Sequence, residues 1–157
     1  MKKVYYLFTI VSVFMFERSH SQNGIPLDGN FSIEIAEVTF KKSVTSTLQL
    51  VVAKANHKIL TFEVILYSKS KKREVLDLNE MKFISNGESY QVVSQQGLGV
   101  WSSTSGLFIH LKEQKKVKLY VQVKEDINDG QVTFNDKGIF EINVSSNSHD
   151  AEFKPLE

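Results

Sequence analysis

The segment VKLYVQV alternates without interruption: Val117, Leu119, Val121 and Val123 fall on one side, and Lys118, Tyr120, Gln122 and Lys124 on the other. In an extended chain successive side chains point to opposite faces, so this period of two describes a half-buried β-strand. An apolar strand face needs a second layer to cover it. The same period recurs along most of the chain. FSIEI groups Phe31, Ile33 and Ile35; the phase then slips to Val38 and Phe40, which predicts a bulge near Ala36. LQLVV groups Leu48, Leu50 and Val52. ILTFEVIL sets Leu60, Phe62, Val64 and Leu66 against Thr61, Glu63, Ile65 and Tyr67. LFIHL aligns Leu107, Ile109 and Leu111 and leaves His110 on the solvent side. Val132 and Phe134, then Phe140, Ile142 and Val144, continue the pattern.

Turn chemistry separates these runs. Asn86-Gly87 is a strong hairpin signal because both residues accept positive φ, and Asn135-Asp136-Lys137-Gly138 marks a second reversal. No stretch keeps a 3.6-residue apolar period for three turns; REVLDLNEMKF has room for one helical turn near Leu78 to Met81. Pro26 and Pro155 fall outside all the strand segments. The expectation is an all-β fold: an immunoglobulin-like antiparallel β-sandwich of about seven to nine strands. It would occupy residues 31–146, after an N-terminal loop at 22–30 and before a polar C-terminal tail at 147–157 that frays.

The N-terminus reads MKKVYYLFTIVSVFMFERSHSQ. Lys2 and Lys3 precede an apolar run from Val4 to Phe16, and Ser19 and Ser21 occupy the −3 and −1 positions of a cut before Gln22. This is the three-part layout of a secretory signal peptide spanning residues 1–21, with cleavage between Ser21 and Gln22. The run is short for a membrane span, which needs about 20 apolar residues. The alternative is an uncleaved anchor, favoured by the bulky Tyr5, Tyr6, Phe8, Phe14 and Phe16. The protein is expected to be exported, to the periplasm, the outer surface or the medium, with no transmembrane span after cleavage.

The chain carries a formal net charge of +1, and the leader would remove Lys2, Lys3 and Arg18 together with Glu17. The near-neutral remainder argues against a nucleic-acid partner and steers the chain to no acidic membrane. There is no cysteine, hence no disulfide, thiol nucleophile, thiolate metal site or lipid-modified N-terminal cysteine. The SHSQ junction resembles exported proteins of the Bacteroidetes group. Asn-x-Ser sequons at Asn30 and Asn143 are read as chance occurrences.

The order ILTFEVILYSKSKKREVLDLNEMKFISNGESYQV, VKLYVQV, KEDINDGQVTFND, IFEINV resembles the telokin-like, immunoglobulin-fold domains of exported bacterial proteins, over roughly residues 59–144. The hairpin Gly87-Glu88-Ser89-Tyr90 belongs to that pattern. Two positions depart from it: Ser68 stands where the long strand often ends in Asn, and KEQKK replaces a Pro-Gly pair before the late strand. The resemblance implies a binding or scaffold module; a fold alone implies no activity.

A search for chemistry excludes more than it finds. Ser102, Ser103 and Ser105 lie in GVWSSTSG, which lacks the Gly-x-Ser-x-Gly elbow and the helix that must follow it. His57, His110 and His149 have no second ligand at metal-binding spacing. DINDG places its glycine one residue early for a calcium loop, and Lys137 stands at position twelve. No enzyme activity, cofactor or metal is expected. Two basic groups stand out: Lys69, Lys71, Lys72 and Arg73, and Lys112, Lys115, Lys116 and Lys118. Both are read as inter-strand turns, where lysines are commonly only solvated. Should the two turns meet at one end of the sandwich, they could bind an anionic glycan or a phosphate-bearing surface. Trp101, the single tryptophan, sits in SQQGLGVWSSTSG, and with Tyr90 it is either a stacking platform or a plug over the core edge. The leading reading is a non-enzymatic protein-binding or envelope-associated module whose candidate contacts are Trp101, Tyr90, Lys71, Lys72, Arg73, Lys115 and Lys116. The alternatives are a carbohydrate-binding or adhesion module using the Trp101 loop, and a sandwich-type protease inhibitor presenting Gln95 to Gly106.

Overall fold

A computed structural model describes residues 24–45, 50–94, 107–143 and 152–156. Their regular secondary structure is strand alone. In chain order the strands are β1 (Ile25–Pro26), β2 (Phe31–Lys41), β3 (Ser43–Thr45), β4 (Leu50–Val52), β5 (His57–Ser68), β6 (Glu74–Asp77) and β7 (Met81–Ser85). Then follow β8 (Glu88–Gln91), β9 (Val93–Ser94), β10 (Phe108–Leu111), β11 (Gln114–Lys124), β12 (Asp129–Phe134), β13 (Lys137–Asn143) and β14 (Glu152–Pro155). One five-stranded sheet has the order β1-β2-β5-β11-β9 and the other β14-β13-β12-β7-β8. Two further ribbons, β10-β6 and β3-β4, complete the set. All pairings are antiparallel.

The alternation read from the sequence sets the core. β5 and β11 pair without a register shift from Tyr67↔Gln114 to His57↔Lys124. Leu60, Phe62, Val64 and Leu66 thereby share an inner face with Leu119, Val121 and Val123. Met81, Phe83, Val132, Phe134, Phe140 and Ile142 meet them from the second sheet, and the Phe62 and Phe83 rings lie 6.4 Å apart. On β2 the pairing passes from Ile35↔Val64 to Glu37↔Glu63, so Ala36 is the bulged residue. One extra residue flips the phase, which is why both Ile35 and Val38 are buried. The hairpins turn where expected, with φ of +50° and +76° at Asn86 and Gly87 and +50° and +61° at Asn135 and Asp136.

Several expectations change. The LQLVV segment turns its other side inward: Val51 is buried, whereas Leu50 and Val52 are 63% and 62% exposed. The β3–β4 hairpin folds over the outer face of the first sheet instead of entering the main core. There Val44 and Val51 cover Ile59, Val93 and Tyr120 in a second apolar cluster. Pro26 and Pro155 lie inside strands, but in β1 and β14, the edges of their sheets, where a missing N–H breaks no ladder. Part of the expected loop and tail is therefore ordered by pairing: Ile25 opposite Ile33, and Phe153 opposite Ile142. Leu78 to Met81 forms a single reversal closed by Met81 N donating to Leu78 O at 2.9 Å, between strands and not in a helix. Counting the short edges and ribbons, fourteen strands are present among the described residues, against the expected seven to nine.

Candidate functional site

The turns at one end of the sandwich come together. Ser68, the last residue of β5, donates its N–H to Glu113 O at 2.6 Å, and Lys69 donates to Asn30 O at 3.0 Å. Leu111, the last residue of β10, stands opposite Glu74, the first of β6. The Lys69–Arg73 turn and the Lys112–Glu113 corner are thus neighbours. The corner is tight: two residues link β10 to β11, and Glu113 adopts a φ of +62°.

The Lys69–Arg73 turn is tied down from within. Ser68 Oγ accepts from Ser70 N at 3.0 Å and donates to Glu74 Oε2 at 2.8 Å; Ser70 Oγ accepts from Lys72 N at 3.1 Å. The Ser68 hydroxyl thus caps the turn by accepting from the backbone two residues on, as serine side chains do in such turns. Lys69, Lys71, Lys72 and Arg73 are left without a carboxylate partner among the described residues, as is Lys112.

The second basic group divides. β11 begins at Gln114, so Lys115, Lys116 and Lys118 are strand residues and not turn residues. Alternation then sends them to different places. Lys116 and Lys118 lie on the outer sheet face, and both pair with Glu63 on β5, Lys118 at 3.5 Å. Hydrogen bonding from Lys116 is the main reason the Glu63 carboxyl is held below its ordinary range. Lys115 takes the other face, at the rim, and its Nζ donates to His110 O at 3.0 Å. Of that group only Lys112 and Lys115 join the basic end; Lys116 does not.

Tyr90 sits elsewhere. Its ring packs 6.3 Å from Phe83, and its hydroxyl donates to Glu88 Oε2 at 2.6 Å. Burial, then the Glu88 hydrogen bond, pushes its phenol up to about 12. Lys124, at the far end of β11 from Gln114, also pairs with Glu88. The eleven residues of β11 separate the Tyr90 cluster from the basic end by roughly 30 Å at 3.3 Å per residue. Trp101, the serines of its loop and the inhibitor loop Gln95 to Gly106 lie outside the described residues.

His110 is exposed, and His57 Nδ1 stands 2.8 Å from Ala55 O. Among the described residues no group of three or more His, Asp or Glu is arranged to hold a metal ion. Asp129 and Gly130 of the calcium-like motif belong to strand β12. No helix among the described residues is long and apolar enough to cross a membrane.

The β6–β10 ribbon exposes two apolar residues outside the candidate contacts. Val75 is 49% exposed and Phe108 54% exposed, opposite His110 and Asp77 respectively. Leu76, Ile109 and Leu111 bury the other face of the ribbon. The signal was available as parity: Phe108 falls out of phase with Leu107, Ile109 and Leu111.

No family model matches the sequence. No curated protein is similar to it at a significant level. Two solved structures are similar in shape. One is a candidate lipoprotein, YcdA, of Bacillus subtilis, at 9% identity and a TM-score of 0.43 over 84% of this chain; the chain spans 38% of that protein. The other is an uncharacterised β-sandwich protein of Clostridium difficile, at 12% identity and a TM-score of 0.43, covering 84% of this chain and 89% of that one. The class defined here, an antiparallel β-sandwich, rests on the strand pairing and the shared core of the two sheets.

Proposed function

We propose that the chain is an exported, non-enzymatic binding module of the telokin-like, immunoglobulin-fold kind, which works at the cell envelope through its basic end. The observation that carries this reading is the junction of two basic turns whose cations lack carboxylate partners among the described residues. Elsewhere Lys42 pairs with Glu125, Lys116 and Lys118 with Glu63 and Lys124 with Glu88; Lys41, Lys54, Lys58, Lys137 and Lys154 also lack a carboxylate partner among the described residues, but they do not fall in one short turn. Unpaired cations concentrated on ordered turns repel one another unless an anionic partner meets them, and they accelerate its capture. The leader-like N-terminus supplies the route to the envelope.

The test is retention in isolated envelope fractions. The protein is expected to stay with the envelope at low salt and to be released as salt rises. A variant with Lys69, Lys71, Lys72 and Arg73 all changed to Gln should be released at low salt. Equal retention of both proteins would remove the basic end from the function.

A further inference from the structure

We infer that the basic end and the exposed face of the β6–β10 ribbon form one docking surface for a bilayer bearing anionic phospholipid. The inference rests on the basic-end reading above and names its ligand. Six cations gather at this end: Lys69, Lys71, Lys72, Arg73, Lys112 and Lys115. The carboxylates near them are Asp28, Glu74 and Glu113, with Glu34 on the outer sheet face beside Tyr67, and they are fewer than the cations. The local field is positive although the whole chain is close to neutral. Net charge is a poor guide when acids and bases are segregated.

The second observation is apolar. Val75 follows Glu74 directly, and Phe108 stands in register with Asp77, three residues further along the ribbon, roughly 10 Å from the turns at 3.3 Å per residue. Both side chains are about half exposed on the same ribbon face. The acid on that face, Asp77, is occupied by Asn79, whose N and Nδ2 donate to Oδ1 at 2.9 and 2.6 Å.

Charge and apolar exposure together select the partner. A soluble polyanion would meet the cations and leave Phe108 and Val75 in water. A protein interface excludes lysine from its buried centre. The interfacial zone of a bilayer accepts both: phosphates at the level of the cations, and acyl-chain boundary for the ring and the valine. Each cation near an anionic membrane contributes roughly fivefold in affinity.

The test is co-sedimentation of the purified mature protein with vesicles of phosphatidylcholine alone or mixed equally with phosphatidylglycerol. Binding is expected only to the mixed vesicles and should fall with salt. The fourfold Gln variant should lose at least roughly a hundredfold in affinity. Phe108→Ser should lose roughly tenfold, with circular dichroism unchanged because the side chain is already half in water and outside the core. Equal binding to both vesicle types, or vesicle binding unchanged in either variant, overturns the inference. Failure to bind vesicles together with salt-sensitive binding to heparin overturns it too, but leaves the basic end standing as a binding site. Loss of salt-sensitive envelope retention would instead remove the parent reading.

Discussion

The ring of Phe83 lies against the α-carbon of Gly130 and occupies the place of a side chain there. A Cβ on Gly130 would fall 2.8 Å from Phe83 Cε2, closer still to Cζ, and 2.7 Å from the carbonyl oxygen of Ile84. The backbone of Gly130 is not in the left-handed region, so space and not conformation requires the glycine. This accounts for the glycine of DINDG without a ligand. Gly130→Ala is expected to destabilise the fold by about 1–3 kcal/mol, the range of core overpacking. Urea unfolding measures it; a change under 0.5 kcal/mol would mean that Phe83 has another place to go.

The β3–β4 hairpin makes a paired prediction. Val51 covers Ile59, Val93 and Tyr120, whereas Leu50 beside it is mostly in water. Val51→Ala should cost about 1.5 kcal/mol, the value of the two buried methyl groups it removes. Leu50→Ala should stay within about 0.5 kcal/mol, as exposed substitutions do. The reverse order would show that the hairpin packs with its other face inward. The removal of Tyr120 from water, which pushes its phenol up, gives a second readout: Val51→Ala should bring it back toward the ordinary value in an absorbance titration.

Legibility in the sequence followed the range of the interaction. The faces of β5 and β11 were plain because one side is apolar and the other polar along their whole length. The bulge at Ala36 was plain because the phase slips within one strand. The sense of LQLVV was not, because the fully apolar face, Leu48, Leu50 and Val52, looks inward on pattern alone, while tertiary packing covers Val51 on the other face instead. The sorting of Lys115 from Lys116 needed the start of β11 and its register with β5, which place Lys116 near Glu63. Both are non-local facts. The meeting of the two basic turns is likewise a property of pairing, visible in the sequence only as a condition. β14 gave no sign, since its residues are exposed and it is ordered by pairing with the edge of β13.

The two hairpin turns should respond in opposite directions. Gly87 holds a φ of +76° with open space where a Cβ would stand, so Gly87→Ala costs backbone strain alone, about 1 kcal/mol. Asp136 holds +61° in the equivalent turn. Asp136→Gly should stabilise by about 0.5 kcal/mol, since Asn-Gly suits such a turn better than Asn-Asp. Midpoints of urea unfolding for the two variants should fall on opposite sides of the parent. A destabilised Asp136→Gly protein would point to a side-chain role for Asp136.

Glu63 should govern part of the acid limb of stability. Glu37 stands directly opposite it on β2, a like-charge pair, while Lys116 and Lys118 meet it from β11. Lys116 prevails, and the carboxyl is held below the ordinary 4.5. A carboxyl depressed in the folded state stabilises above its unfolded value, and that contribution is lost as pH falls through the folded value. The relevant window therefore opens near 4.5 and extends downward. Glu63→Gln should cost about 0.5–1 kcal/mol at neutral pH, since the lysines are largely solvated, and almost nothing below that window. Glu37→Gln should be neutral or slightly stabilising at neutral pH, because it removes the opposing charge. Urea titrations of the three proteins above and below the window give the answer. A Glu63→Gln deficit that persists in acid would assign the residue a packing role instead of an electrostatic one.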